Sequence, residues 1–210
     1  MKAKQQPAPP ELSHDAIRTA ALRLIDQHGL AAFSTRKLGH ELGCEAMAIY
    51  WYYPSKDALL DAVVELMMAS VGAAVAPKPD WIGTLREVAH AYRGVAHAHP
   101  NAFPLLATRR FASEGTYAFL ERLFELAHVQ GIDDRVIARF YRVVSSYCSG
   151  FALNELAAPR GPQAPTTAAL RRRYPRVDAV STWLDAQHLD ELFRFGLELQ
   201  LDALARECAR

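Results

Sequence analysis

Between residues 35 and 56 the chain carries hydroxyl, guanidinium, aromatic and ammonium groups at close intervals: Thr35, Arg36, Tyr50, Trp51 and Lys56, with Ala46, Met47 and Ala48 among them. Such groups do not make or break bonds by themselves. Hydroxyls and cations hold phosphates, a guanidinium pairs bidentately with guanine, and small apolar side chains meet thymine methyls. The residue patterns of catalysis are absent: there is no GxSxG, no HExxH and no phosphate-binding loop, and Cys44, Cys148 and Cys208 have neither CxxC spacing nor an evident base. No enzymatic activity is expected, and no disulfide framework or zinc cluster. His90 and His97 fall on one helical face with His99 nearby. A metal site there would want a carboxylate or thiolate partner, so no metal and no cofactor is expected.

Groups aimed at a duplex need short rigid elements to present them, and helical spacing recurs from one end of the sequence to the other. Sustained alternation of β-branched residues is missing, which predicts an all-α fold. Ile17, Ala20, Ala21, Leu24 and Ile25 mark a helix over about 13–28, with Ser13 placed to cap it and Gly29 to stop it. Ser34 or Thr35 caps a second over about 35–42, where Gly43 suits a left-handed turn. A third covers about 45–52 before Pro54 and Ser55, and a fourth carries Leu59, Leu60, Val63, Val64, Met67 and Val71. Two short helices joined by a tight turn and braced by a third meet the requirement for placing a helix in the roughly 12 Å major groove.

Further helices are expected around Trp81–Val95, Asn101–Thr108, Tyr117–Ala127, Val136–Phe151 and 187–206. The stretch from Ala158 to Pro165 has three prolines, a glycine and no periodicity, and reads as a loop of about 158–180. The last helix bears Leu189, Leu192, Phe193, Phe195, Leu197, Leu199, Leu201 and Leu204, apolar nearly all round. One face packed on the core and another on a second subunit accounts for this better than central burial, since a terminal helix is rarely the central one.

The segment STRKLGHELGCEAMAIYWYYPSKDALLDAV resembles the DNA-binding part of the TetR family of bacterial repressors. Thr35, Arg36, Gly43, Tyr50, Trp51, Lys56, Leu59 and Leu60 stand at the family's marked positions. The likeness extends to HGLAAFSTRKLGHELG, to Thr108 and Arg109 and to FGLELQLDAL, closest to the tetracycline-repressor branch. It implies a helix-turn-helix head over 11–57 and an effector-binding and dimerisation domain over 58–210, after a tail over 1–10 whose lysines, three prolines and lack of an apolar stretch read as disordered. By resemblance, Thr35 and Arg36 contact DNA at the start of the second helix, Ala46, Met47 and Ala48 read bases, and Tyr50, Trp51 and Lys56 hold phosphates. Val136–Glu155 and His188–Arg206 would build a four-helix bundle with a second copy. The branch closes its pocket on a drug chelated to magnesium, but Gly72, Val88, Tyr92 and Leu105 replace the expected histidine, asparagine, phenylalanine and histidine. A hydrophobic or aromatic effector is expected instead, lined by Tyr92, Phe103, Leu105, Thr108, Tyr147 and Phe151.

The reading is therefore a homodimeric repressor of an inverted-repeat operator in double-stranded DNA, released by a small molecule. Composition allows it without demanding it. In 210 residues, half apolar, 24 basic residues stand against 23 acidic ones, and residues 1–57 hold seven against six. The basic excess common in nucleic-acid binders is missing, so local placement has to supply it. The rival is a helical scaffold whose N-terminal motif has lost its DNA. Free cysteines suit a reducing cytoplasm, and charges interrupt every apolar run before membrane-spanning length.

Overall fold

The computed structural model describes residues 12–76, 78–109, 113–157, 167–184 and 186–209, and among these there is no strand. Eleven α-helices are described: α1 His14–His28, α2 Thr35–Leu42, α3 Ala46–Tyr52, α4 Lys56–Ala74, α5 Trp81–Ala98, α6 Phe103–Arg109, α7 Glu114–His128, α8 Asp134–Ala157, α9 Ala168–Arg173, α10 Pro175–Ser181 and α11 Leu189–Cys208. The chain packs as two compact units, residues 1–74 with 98–121 and residues 75–97 with 122–210. The expected tail over 1–10 lies outside the described residues.

In the first unit, α1 starts where the Ser13 hydroxyl accepts the Ala16 amide at 3.1 Å. It buries Ile17, Ala20, Ala21, Leu24 and Ile25. That face packs on α4, which buries Leu59, Leu60, Val63, Val64, Met67 and Val71, and α4 in turn packs on α6 through Phe103, Leu105 and Leu106. Each fully buried large side chain contributes about 1.5–3 kcal/mol. Polar clasps fix the return of the chain to this unit. Asp26 binds His99 Nδ1 at 2.6 Å and the Ala102 amide at 3.2 Å, and its carbonyl accepts from Asn101 at 2.7 Å. Arg109 reaches Asp57 at 2.8 Å and Asp61 at 3.1 Å on α4.

The second unit is organised around α8 and α11. Arg139 pairs with Glu207, and Tyr147 with the carbonyl of Phe193, so the two helices run antiparallel. α5 also runs antiparallel to α11, since Arg86 meets Glu198 and Arg93 meets Asp190. Arg93 is buried and donates to both oxygens of Glu155, at 2.8 and 2.6 Å, and to Asp190 at 2.7 Å, with its guanidinium 4.9 Å from the Phe193 ring. Hydrogen bonding to Glu155, then to Asp190, pushes the Arg93 pKa up against the opposing effect of burial, and the same bond holds the Asp190 carboxyl low.

One expectation changes. The loop expected over about 158–180 is helical where it is described: α9 and α10 occupy most of 168–181, while 158–166 lie outside the described residues. The prolines misled here. Pro175 stands in the first turn of α10, where its missing N–H costs nothing and its fixed φ favours the helix, and the Thr167 hydroxyl accepts the Leu170 amide to start α9. The three histidines have separate surroundings. His90 packs edge-on against Phe193, His97 lies 3.3 Å from Glu155, and His99 belongs to the Asp26 clasp of the first unit.

Candidate nucleic-acid interface and effector region

A close turn sets α3 against α2. The Ser34 hydroxyl accepts the Lys37 amide at 3.3 Å and so caps α2, and α2 ends at Gly43 in the left-handed region with φ 68°. The Cys44 amide then returns to the Gly39 carbonyl at 2.9 Å. A Cβ on Gly39 would stand 2.7 Å from the Cys44 carbonyl oxygen and 3.2 Å from the Ala46 nitrogen, both backbone atoms. Only glycine lets the turn approach α2 this closely.

α3 buries one side chain, Ile49. Its C-terminal end is tied to the start of α1: the Tyr52 hydroxyl donates to the Leu12 carbonyl at 2.8 Å and the Tyr53 hydroxyl to the His14 carbonyl at 3.0 Å, with both rings edge-on to His14. Burial raises the Tyr53 phenol pKa. The outer face is apolar and open, with Met47 69% exposed, Trp51 89% and Tyr50 36%. A tryptophan left that exposed contributes little to the core.

Ala46 and Ala48 are half-buried at the foot of this face. The Tyr50 hydroxyl lies 3.3 Å from the Thr35 hydroxyl, which joins the outer face of α3 to the start of α2. Arg36 is exposed beside it, with no hydrogen bond or ion pair among the described residues. The Lys56 ammonium donates to the Phe33 carbonyl at 3.2 Å and sits 5.5 Å from the Phe33 ring, which fixes the start of α4 and leaves two N–H groups for other acceptors. Lys37 and His40, not singled out in the sequence, are exposed on α2 beside Arg36 and Glu41.

The six expected effector residues divide between the units. In the first, Phe103 and Leu105 are buried, and the Thr108 hydroxyl donates to the carbonyls of Pro104 at 2.8 Å and Leu105 at 3.2 Å within its own helix. In the second, Tyr147 and Phe151 meet with ring centroids 5.7 Å apart, and both pack on Phe193. The Tyr147 hydroxyl is committed to the carbonyls of Phe193 at 2.9 Å and Leu192 at 3.2 Å, and burial pushes its pKa up to about 12. Tyr92 and Ser149 form a buried pair at 3.1 Å; because Ser149 donates to the Ser145 carbonyl at 2.8 Å, Tyr92 is the donor. Ser149 gave no signal in the sequence, since its partner lies 57 residues away. A cavity of about 830 Å³ opens within the second unit, walled by Phe151, Val177, Val180, Leu184, Leu189 and Leu192. Its size falls in the small-molecule range, and Phe151 alone of the six expected residues lines it.

Residues 17–63 match the family model for bacterial regulatory proteins of the tetR family, and residues 75–207 match the tetracyclin repressor-like C-terminal domain. Tetracycline repressor protein class A from transposon 1721 of Escherichia coli is 32% identical over 213 residues, covering 93% of this chain and 92% of that protein. A crystal structure of a possible TetR family transcriptional regulator from Streptomyces coelicolor A3(2) superposes with a TM-score of 0.77 at 28% identity, covering 92% of this chain and 99% of that one. The crystal structure of BioQ with its double-stranded DNA operator gives a TM-score of 0.65 at 26% identity over 93% of this chain and 99% of that one.

Proposed function

Because the chain belongs to the TetR family of bacterial transcriptional regulators, we propose that it represses transcription as a homodimer on an inverted-repeat operator and is released by a small hydrophobic or aromatic effector. The observation that carries the DNA reading is the outer face of α3, where Met47, Tyr50 and Trp51 stand open while Ile49 is buried on the inner side. In this reading residues 11–57 are the head. Thr35 and Arg36 enter at the start of α2, Ala46, Met47 and Ala48 meet thymine methyls, and Tyr50, Trp51 and Lys56 hold phosphates. Base discrimination by apolar contact is coarse, so groove shape carries part of the specificity.

Residues 58–210 serve dimerisation and effector binding. Two faces of α11 support the dimer: Phe193, Leu197, Leu201 and Leu204 are buried, whereas Phe195 is 63% exposed and Leu199 54%, and on α8 Val143 is 45% exposed. Effector contacts are assigned to Tyr92, Tyr147 and Phe151 in the second unit and to Phe103, Leu105 and Thr108 in the first, each set to be tested by itself. For release, the effector must prefer the dimer conformation whose two heads fit successive grooves poorly, and by linkage DNA weakens the effector to the same degree.

The test selects binding sites from random duplex DNA with the purified chain, then titrates wild type and Tyr50→Ala across salt concentrations. Enrichment of an inverted repeat that Tyr50→Ala binds less tightly is the expected result. No enrichment by well-folded protein sinks the simple repressor and leaves effector-dependent binding or a scaffold to be tested.

A further inference from the structure

The near-neutral charge of the head hides an uneven distribution. Among the described residues of the head, four carboxylates have internal partners, Asp15 in Arg18, Asp26 in the His99 clasp, Glu41 in Arg23 and Asp57 in Arg109, while Glu45 at the start of α3 makes no side-chain hydrogen bond to its helix. Several basic groups without a carboxylate partner gather at one place. Between α1 and α2 a concave surface of about 810 Å³ is lined by Leu24 and His28 of α1, by Ser34, and by Arg36, Lys37, His40 and Glu41 of α2. Glu41, the one acid on this lining, accepts from Arg23 Nε at 3.0 Å. His28, Arg36 and His40 are exposed and have no hydrogen-bond or ion-pair partner among the described residues. Lys37 gives one N–H to the Ala32 carbonyl at 2.9 Å and keeps two. Two permanent cations and two imidazoles thus face one concavity with no free carboxylate, an arrangement complementary to an anion with several oxygens.

The position of this concavity says which anion. Arg36 adjoins Thr35, whose hydroxyl touches Tyr50 on the open face of α3, so the concavity begins at the edge of the surface proposed to read bases. We infer that His28, Arg36, Lys37 and His40 hold a phosphodiester of the duplex outside the base pairs read by α3, extending the footprint of each head onto flanking DNA of any sequence. The inference rests on the DNA-binding reading above. It assigns new roles to His28, Lys37 and His40, with Arg36 shared between the two surfaces. Contacts of this kind add affinity and salt dependence without adding base preference.

The test uses the full chain and the inverted repeat enriched from random DNA, made as two duplexes. One stops at the outermost enriched base pair, and the other continues for half a helical turn at each end. For wild type, the slope of log affinity against log salt is expected to steepen on the longer duplex by about 0.9 for each phosphate neutralised. Lys37→Gln/His40→Gln should bind the short duplex as wild type does and show no steepening. His28→Gln/His40→Gln, which leaves the Lys37–Ala32 contact in place, should lose part of it. Equal steepening in wild type and both variants overturns the inference. Protection of wild type, but not the variants, against thermal unfolding by inorganic phosphate, with no effect of duplex length, assigns the site to a free anion and also overturns it. Failure of wild type to bind any duplex, with Tyr50→Ala no different, overturns the DNA reading itself, an outcome distinct from the others.

Discussion

Gly196→Ala places a methyl group where the structure has no room for one. A Cβ at position 196 would overlap the Tyr147 hydroxyl oxygen and stand 2.7 Å from Cζ and 2.9 Å from Cε2. The phenol cannot easily swing aside. Its ring stacks on Phe193 at 5.7 Å and 19°, Phe151 packs beside it, and its hydroxyl is bonded to two carbonyls of α11. On an open helix the same substitution would stabilise by about 1 kcal/mol through helix propensity. Here overpacking costs about 1–3 kcal/mol, and loss of the hydroxyl hydrogen bonds adds about 0.5–1.5 kcal/mol. The net expectation is a loss of about 1–3 kcal/mol. Urea unfolding at fixed protein concentration reads it as a lower midpoint with unchanged slope. Tyr147→Leu removes the obstructing atoms, so in that background Gly196→Ala should be neutral or stabilising. The pair then couples by at least about 1 kcal/mol in a double-mutant cycle. An equal loss in both backgrounds, or a gain in wild type, refutes the account of Tyr147 as a spacer between α8 and α11.

Arg93→Met leaves Glu155, whose side chain is 9% exposed, without its bidentate partner, and should lower unfolding free energy by about 3–5 kcal/mol. Asp190→Asn, at an 80% exposed side chain, should cost under about 1 kcal/mol by the same denaturant titration. The Arg86 guanidinium holds the Glu198 carboxyl below its ordinary value, so the pair contributes stability above the ordinary carboxylate range and loses it as pH falls through the depressed value. Thermal unfolding of wild type and Arg86→Gln across acidic pH should therefore show a shallower acid decline in the variant. Phe195→Glu alters an exposed side chain on the outer face of α11, and sedimentation velocity should show a folded monomer with weak operator binding.

Local signals explain why the first two helices could be read from the sequence. Ser13 accepts from Ala16, Ser34 accepts from Lys37 and Gly43 adopts a left-handed turn, so each helix end is decided by residues within a few positions of it. The apolar spacing of α4 and α5 likewise describes their burial. The same signals failed at Pro175, because a proline that breaks a helix interior also starts a helix well. Residues of the sites were harder to read where their partners are distant. Nothing near Tyr147 in the sequence says that its hydroxyl is bonded to α11, because Phe193 lies 46 residues on. Counting charges over the head concealed Lys37 and His40 for a related reason. Their neighbour Glu41 is neutralised by Arg23, 18 residues earlier, a pairing visible only once α1 and α2 are folded together.

α3 has seven residues, one buried side chain and an N-cap, Glu45, that makes no side-chain hydrogen bond to the helix. So small a helix opens locally at far lower free energy than the whole protein unfolds, and its amide hydrogens should exchange with solvent well ahead of those of α1 or α4. A duplex that binds only the formed helix must first draw on that population, so measured affinity includes the fraction of time α3 is assembled. Glu45→Asp offers the missing cap while keeping the charge. It should slow exchange in the free protein and tighten DNA binding without touching the duplex, which makes the order of α3, as well as its chemistry, a determinant of how firmly the operator is held.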